Sequence, residues 1–212
     1  MFIQLLEIIL HIDEYLGLII NTYGSLIYSL LFLIIFVETG LVVMPFLPGD
    51  SLLFAAGTFA AIGLLHFYLT LLIFCLAAVL GDSVNYWLGK KFGRKLFTRE
   101  NSWFFNQGNL KRAENFYEKH GAKTIILARF IPIIRTFAPF VAGMGKMKYP
   151  KFLAYNIFGG IIWVLLFFLT GYFFGNISWV KENFSLAIMA IIVISLVPIL
   201  VELLRRKLPS KK

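Results

Sequence analysis

The chain has 212 residues, of which 59% are hydrophobic, 17% are aromatic and 15% are charged. Its mean hydropathy is +0.82, and the apolar residues form long blocks instead of the amphipathic alternation of a soluble core. This composition excludes a soluble globular domain and predicts an all-α membrane protein that crosses the bilayer several times. No polar segment is long enough to fold alone, so we expect one membrane domain over residues 25–204.

Residues 1–24 mix apolar residues with acids and have no basic start. This pattern predicts an amphipathic helix at the membrane interface and not a cleavable signal peptide. A helix needs about 20 residues to cross the hydrocarbon core of a bilayer. Three later apolar blocks, 69–88, 152–174 and 184–204, reach that length, and we predict that each of them spans the membrane.

Positive charge is confined to the later part of the chain. All 20 lysines and arginines lie at or after Lys90, whereas six of the 11 acids precede it. Cytoplasmic segments of membrane proteins carry an excess of basic residues. We therefore expect the loop 90–123 and the tail 205–212 to be cytoplasmic, and we regard a nucleic-acid partner as the weaker explanation of the charge.

The apolar block 123–147 is interrupted near its middle. Pro132, Arg135 and Pro139 are expected to break it into two arms of about a dozen residues, which are too short to cross the bilayer separately. We predict a re-entrant hairpin, which enters and leaves the membrane on the same side. Its turn must be buried in protein or line a wet cavity, because bare backbone polar groups do not face lipid.

The block 30–65 has a similar interruption, at Pro45, Pro48 and Gly49. We predict a second re-entrant hairpin here. Its first arm is long enough to cross the bilayer, so a fully spanning arm stays open as an alternative.

The two halves of the chain share a short internal repeat. The sequence Phe-Ala-Ala-Gly at 54–57 recurs as Phe-Val-Ala-Gly at 140–143, and the Gly-x-x-x-Gly pattern at 89–93 recurs at 171–175. Each half has a hairpin followed by a span, and the cytoplasmic loop between them makes the halves antiparallel. The sequence therefore predicts an inverted repeat with two opposed hairpins, a pattern typical of transporters whose broken elements meet near the midplane of the bilayer.

Four charged residues belong to the predicted hairpins. Glu38 and Asp50 lie in the first hairpin, and Arg129 and Arg135 lie in the second. A charge at the bilayer centre costs roughly 2.5 to 3.5 kcal/mol by insertion scales, which makes function the default explanation. The planar guanidinium of arginine can donate two parallel hydrogen bonds to a phosphate. A carboxylate in an environment of low dielectric can take up and release a proton near neutral pH. The alternative is that the four charges only neutralise one another in a structural network. Against this alternative, apolar residues in place of such a buried network are often equally stabilising.

Other polar residues have plainer explanations. Asp50 and Ser51 follow a Pro-Gly turn and are equally suited to capping the next helix, a role that is compatible with attracting anions. Asp82 and Tyr86 belong to a polar cluster within the first span, which we interpret as structural. The histidines form no pattern with acids or Cys75 that is typical of a metal site, so we expect neither a metal nor a cofactor.

Five segments also carry a resemblance to a known family: Glu38-Thr-Gly40, Pro45-Phe-Leu-Pro-Gly-Asp-Ser-Leu52, Gly81-Asp-Ser-Val-Asn-Tyr86, Ala128-Arg-Phe-Ile-Pro132 and Arg135-Thr-Phe-Ala-Pro-Phe-Val-Ala-Gly143. They resemble the DedA family of bacterial inner-membrane proteins, relatives of the VTT-domain scramblases, and the resemblance covers nearly the whole chain. The resemblance implies two opposed re-entrant hairpins, movement of phosphate-bearing lipids such as undecaprenyl phosphate or phosphatidylethanolamine between leaflets, and dependence on the proton gradient.

The family's functional acids and arginines correspond to Glu38, Asp50, Arg129 and Arg135. We therefore expect the arginines to bind the phosphate and the acids to carry the coupled proton. Residues within or near the same motifs are expected to support the site: Pro45, Pro48, Gly49, Ser51, Asp82, Tyr86, Pro132, Pro139 and Gly143.

Two rival functions remain at this point. A proton-coupled antiporter of small cations or drugs would bind its substrate at the carboxylates, and a membrane scaffold would transport nothing. An enzyme is the weakest explanation, because no ordered set of nucleophile, base and metal ligands appears in the sequence. Homodimerisation is left open.

Overall fold

The computed structural model describes most of the central part of the chain, namely residues 24–41, 49–92, 117–145 and 147–183, together with Asn115 and Leu186. Every regular element in this part is helical, as the sequence predicts. Four predicted segments lie outside the described residues in whole or in large part: the interfacial helix 1–24, the basic loop 90–123, the span 184–204 and the tail 205–212.

Seven α-helices occur in the described ranges: α1 (Ser25–Gly40), α2 (Gly49–Ala61), α3 (Phe67–Phe92), α4 (Thr124–Leu127), α5 (Pro132–Met144), α6 (Tyr149–Gly175) and α7 (Ser178–Glu182). Helices α3 and α6, with 26 and 27 residues, are long and apolar enough to cross a membrane. At 1.5 Å per residue each is about 40 Å long, which exceeds the hydrocarbon thickness of a bilayer. They cover the predicted spans 69–88 and 152–174.

The described part of the block 123–147 is broken at Ile131. Short 3-10 helices, Gly121–Lys123 and Ala128–Phe130, flank α4, and the backbone becomes extended at Ile131, with φ −122° and ψ 103°. Helix α5 then begins at Pro132, whose fixed φ suits the first position of a helix. The re-entrant path of this segment stays a prediction.

Helix α5 continues through Arg135 and Pro139 without interruption, so the expectation that these two residues also break the block was wrong. A proline inside a helix removes one hydrogen bond, here the one that would reach the carbonyl of Arg135. Neighbouring helices can support a helix across such a gap. The side chain of Arg135 therefore projects from a helix and not from a turn.

The first predicted hairpin corresponds to α1 and α2. Helix α1 has 16 residues, or about 24 Å of helix, and α2 begins at Gly49. The predicted turn residues Pro45 and Pro48 lie outside the described ranges. Both alternatives for this segment, re-entrant and spanning, therefore stay open.

The described residues form two compact units. Unit A contains those within 1–27, 48–70 and 167–212, and unit B contains those within 28–47 and 71–166. Unit A therefore includes α2 with the last part of α6, and unit B includes α5 with most of α3.

In unit A, α2 and α6 pack backbone against backbone at two glycines. A Cβ atom at Gly57 would collide with the backbone of Phe168, and one at Gly171 would collide with the backbone of Phe54. The hydroxyl of Thr58 donates to the carbonyl of Gly171 at 3.1 Å. Such close packing is possible only where the interface residues are small.

Unit B contains the same contact between α5 and α3. A Cβ atom at Gly143 would collide with the backbone of Tyr86, and one at Gly89 would collide with the backbone of Phe140. In both units the shorter helix packs against the longer one through a Phe-x-x-Gly sequence. The glycine of this sequence approaches a carbonyl of the longer helix, and the phenylalanine approaches a glycine that follows this carbonyl by three residues. The internal repeat of the sequence is thus a repeated helix–helix contact, whereas its inverted orientation stays a prediction.

Gly143→Ala should destabilise the protein because the new methyl group meets backbone atoms that cannot move aside. Overpacking of this kind costs about 1–3 kcal/mol. Thermal unfolding of the purified protein in detergent measures the change. Gly145→Ala, at the end of the same helix, is the control, because its Cβ would meet only the carbonyl oxygen of Val141, at 3.2 Å. Equal losses for both variants would contradict the close contact.

Candidate functional site

Four charged side chains are buried among the described residues of unit B. The exposed fractions are 1% for Glu38, 3% for Asp82, 2% for Arg129 and 7% for Arg135. Charged side chains are almost never buried so completely unless they are paired. Within the described ranges, no three His, Cys, Asp or Glu side chains come together in a way that could hold a metal ion.

The first ion pair joins α5 to the last turn of α1. Nη2 of Arg135 donates to Oε1 of Glu38 at 2.6 Å. The amide of Asn85, on α3, donates from Nδ2 to the carbonyls of Thr39 and Thr136, at 3.1 and 2.8 Å. These two threonines directly follow the paired residues in sequence. One buried amide therefore fixes the backbone on both sides of the ion pair.

The second ion pair lies between the 3-10 helix Ala128–Phe130 and α3. Nη2 of Arg129 donates to Oδ2 of Asp82 and also to Oδ1 of Asn156 at 2.5 Å. Nδ2 of Asn156 in turn donates to the carbonyl of Val79 on α3, at 3.0 Å. Asn156 thus ties α6 to α3 and orients the guanidinium of Arg129 at the same time.

Helix α6 supplies the surface on which the guanidiniums lie. A Cβ atom at Gly159 or Gly160 would come within 3.3 Å of guanidinium nitrogens of Arg129, so this glycine pair leaves room for the side chain. One turn further on, the indole of Trp163 is fully buried. Its ring centroid lies 5.9 Å from Cζ of Arg129 and 5.1 Å from Cζ of Arg135. Both cations therefore lie within cation–π distance of one aromatic ring.

Arg129 has donors beyond those that its neighbours use. All of its hydrogen bonds to described residues leave from Nη2, whereas Nε and Nη1 are buried and have no acceptor among the described residues. Because a guanidinium carries five N–H groups, three of them remain at Nε and Nη1. A buried donor without an acceptor costs about 1–3 kcal/mol. The site thus has capacity for another acceptor, such as an oxyanion.

Comparison with known proteins identifies the family. Residues 47–173 match the VTT domain family. Protein DedA of Escherichia coli (strain K12) is 53% identical over 205 residues, which cover 96% of this chain and 94% of that protein. The chain belongs to the DedA family of VTT-domain membrane proteins.

More distant relatives are similar over shorter stretches. An uncharacterized membrane protein of Mycobacterium tuberculosis (strain ATCC 25618 / H37Rv) is 44% identical over 187 residues, covering 87% of this chain and 82% of the relative. Inner membrane protein YqjA of Escherichia coli (strain K12) is 34% identical over 152 residues, covering 72% of this chain and 69% of that protein. No solved structure matches the chain significantly.

Among the four residues that the DedA resemblance singles out, Asp50 lies in a different unit from the other three. It occupies the first turn of α2, in unit A. Asp50 precedes Gly57 by seven residues, and Thr136 precedes Gly143 by the same interval. Asp50 in the first repeat therefore corresponds to Thr136 in the second repeat. Thr136 is the residue that directly follows Arg135. The proposed role of Asp50 stays a prediction.

Several of the expected supporting residues have packing roles. Tyr86 stacks on Phe152, with ring centroids 4.6 Å apart, and its hydroxyl donates to the carbonyl of Met147. Gly49 is buried at the start of α2, and Ser51 is half-buried in its first turn. Tyr86 therefore fixes α3 against the start of α6.

Sequence reasoning assigned Asp82 a structural, supporting role and overlooked Asn156 and Trp163. In the structure these three residues surround Arg129. For Asn156 the overlooked signal was a lone amide in the first third of a long apolar block, since such a group needs hydrogen-bond partners inside the membrane. Asn85 follows Asp82 by three residues on the same helix, so both side chains lie on one helix face. This spacing is a similar signal of a buried polar cluster.

A double-mutant cycle tests the observed pairing. Asp82→Asn and Arg129→Met should each destabilise the protein, and the double variant should lose less than the sum, by about 0.5–3 kcal/mol, because the two side chains interact directly. Unfolding in detergent supplies the free energies. The control cycle combines Glu38→Gln with Arg129→Met, and its coupling should be smaller. A larger coupling for the control pair would contradict the pairing.

Proposed function

We propose that this DedA-family protein moves a phosphate-bearing lipid between the leaflets of a bacterial inner membrane, coupled to the proton gradient. The head group would be that of undecaprenyl phosphate or of a phospholipid such as phosphatidylethanolamine. Arg129 and Arg135 bind the phosphate, while the lipid tails remain in the bilayer. The loop 90–123 and the tail 205–212 face the cytoplasm.

One observation carries this proposal: Arg129 is buried beside Arg135 and Trp163, and donors at Nε and Nη1 have no acceptor among the described residues. Phosphate oxygens accept charge-assisted hydrogen bonds from guanidinium groups, which are about twice as strong as neutral ones. Two guanidiniums on one indole offer such an anion a positive, donor-rich surface. This arrangement favours an anionic substrate.

The carboxylates link phosphate binding to protons. Glu38 contacts Arg135 directly, so a phosphate that binds this arginine competes with the acid. A buried carboxylate that loses its positive partner is stabilised by taking up a proton. We assign the same proton-carrying role to Asp50. The assignment is based on its sequence motif and on its place in the first repeat, where it directly follows the position that corresponds to Arg135 of the second repeat. Phosphate and proton occupancy are then coupled.

The rival antiporter of small cations would need carboxylates that are available to a positive substrate. The two acids that are buried among the described residues of unit B, Glu38 and Asp82, already contact a guanidinium. A cation approaching either acid would meet an arginine at close range, which is unfavourable in a medium of low dielectric. The site geometry therefore favours an anion over a cation, and the match to the DedA family gives no indication of an enzymatic activity.

Arg135→Lys separates charge from shape at the site. Lysine keeps the positive charge but lacks the planar fork of donors, so transport of the phosphate head group should fall nearly as far as in Arg135→Ala, by roughly tenfold or more, the equivalent of about 1.4 kcal/mol. Proteoliposomes that report lipid head-group movement and cation flux side by side provide the measurement.

The matched control for this experiment is Lys148→Arg, which changes the same two side-chain types at an exposed position and should leave transport unchanged. Full activity of a folded Arg135→Lys variant would refute phosphate recognition by this guanidinium. Cation flux in the wild type without head-group movement would instead support the antiporter.

Cysteine labelling tests the topology that the proposal requires. In a Cys75→Ala background, which removes the native thiol, a cysteine introduced by Asn106→Cys should react with a membrane-impermeant reagent only after the cells are opened. The reason is that the basic residues of the loop 90–123 favour the cytoplasm. A reaction from outside intact cells would exclude the proposed inverted arrangement.

A further inference from the structure

Asp82 is a buried acid for which the proposed function gives no task. It lies within the long helix α3, is almost completely buried and contacts Arg129, one of the two guanidiniums assigned to phosphate. Its position relative to Arg129 corresponds to that of Glu38 relative to Arg135. Arg129 and Arg135 thus each contact a different carboxylate.

We propose that Asp82 exchanges with the phosphate at Arg129: it releases the guanidinium and takes up a proton when a phosphate binds. This inference rests on the proposed function and adds a carboxylate to the coupling mechanism. The exchange makes and breaks no covalent bond except the O–H bond of the carboxyl group. The proton comes from the aqueous phase, and the phosphate oxygen replaces the carboxylate oxygen as hydrogen-bond acceptor.

The charge balance of unit B supports the exchange. Among the described residues of this unit, the buried charges are the carboxylates of Glu38 and Asp82 and the guanidiniums of Arg129 and Arg135, and these four sum to zero. A bound phosphate adds at least one negative charge, which is unfavourable in a medium of low dielectric. One proton on a carboxylate restores neutrality, and Asp82 is placed to take it because it contacts the phosphate-binding guanidinium of Arg129 through Nη2.

The groups that act on Asp82 come from several elements. Among the described residues, the charged side chains of Arg129 and Arg135 interact electrostatically with the Asp82 carboxylate. The thiol of Cys75 interacts electrostatically with the guanidinium of Arg129. Asn156 faces the same guanidinium from α6. The positive groups around Asp82 are therefore the groups that a phosphate would bind. Binding of the phosphate then weakens their electrostatic attraction for the Asp82 carboxylate.

Asn156 keeps the guanidinium in place during this exchange. Its Oδ1 accepts from Nη2 of Arg129, and its Nδ2 is anchored to the backbone of Val79. An amide does not titrate, so this contact persists when Asp82 becomes neutral. Arg129 thus has one permanent acceptor, Asn156, and one exchangeable acceptor, Asp82.

The test is the pH dependence of phosphate binding by the full-length protein in detergent. The probe is dihexanoyl phosphatidylglycerol, whose phosphodiester keeps its charge near neutral pH, and calorimetry measures its Kd. Wild-type affinity should fall as the pH rises, by up to about tenfold per pH unit for one linked proton. Asp82→Asn mimics the neutral acid, so it should bind the probe more tightly than the wild type at high pH and with a flatter pH profile.

Ser83→Ala is the control for disturbance of α3, because it removes a neighbouring hydroxyl that donates to the carbonyl of Val79, accepts from the hydroxyl of Tyr149 and does not itself titrate. Its pH profile should match that of the wild type. A purely structural role of Asp82 would lower the affinity of Asp82→Asn equally at every pH, and that result would overturn the inference while leaving the proposed function intact. Failure of the wild type to bind the probe would count against the proposed function itself.

Asp82→Asn keeps an oxygen that can accept from Arg129 and is therefore expected to fold. If it does not, Asp82→Glu answers the same question, because it moves the carboxyl group by one methylene. The midpoint of the pH profile should then shift. A profile identical to that of the wild type in midpoint and slope would overturn the proposal.

Discussion

The presence of two guanidinium groups in an apolar interior is the constraint on which unit B depends. Each buried cation requires a negative partner and hydrogen-bond acceptors, since an unpaired buried charge costs several kcal/mol. Arg135 finds Glu38 and Arg129 finds Asp82, and both lie near the indole of Trp163. Meeting these requirements fixes α1, α3, α5 and α6 against one another. Such an arrangement is a costly way to stabilise a fold, and its cost is best explained by a function that needs the cations.

Close backbone packing makes this arrangement possible. Glycines at 89 and 143 let α3 and α5 approach without intervening side chains, which brings Asn85 within reach of the carbonyl of Thr136. Unit A repeats the contact with Gly57 and Gly171 but carries an acid, Asp50, near the position that Arg135 has in unit B. The repeated contact thus supports a guanidinium in one half of the chain and a carboxylate in the other.

Much of this could be predicted from the sequence, because the relevant signals are local. The length of an apolar block predicts α3 and α6, and the Phe-x-x-Gly repeat marks both glycine contacts. The identity of Arg129 and Arg135 as buried cations follows from their apolar surroundings. The pairing of Arg129 with Asp82 could not be predicted, since residues 47 positions apart meet only through the packing of helices. The continuation of α5 through Pro139 likewise depends on tertiary support that the local sequence does not encode.

An experimental structure of the protein in phospholipid nanodiscs would show directly whether a lipid phosphate binds the buried guanidiniums. We expect density for a lipid phosphate within hydrogen-bonding distance of the guanidiniums of Arg129 and Arg135, with Asn156 still in contact with Arg129 and the carboxylate of Asp82 or Glu38 withdrawn from its arginine. Head-group density bound elsewhere in the protein, with both ion pairs unchanged, would contradict the account and leave the buried charges with a structural role only.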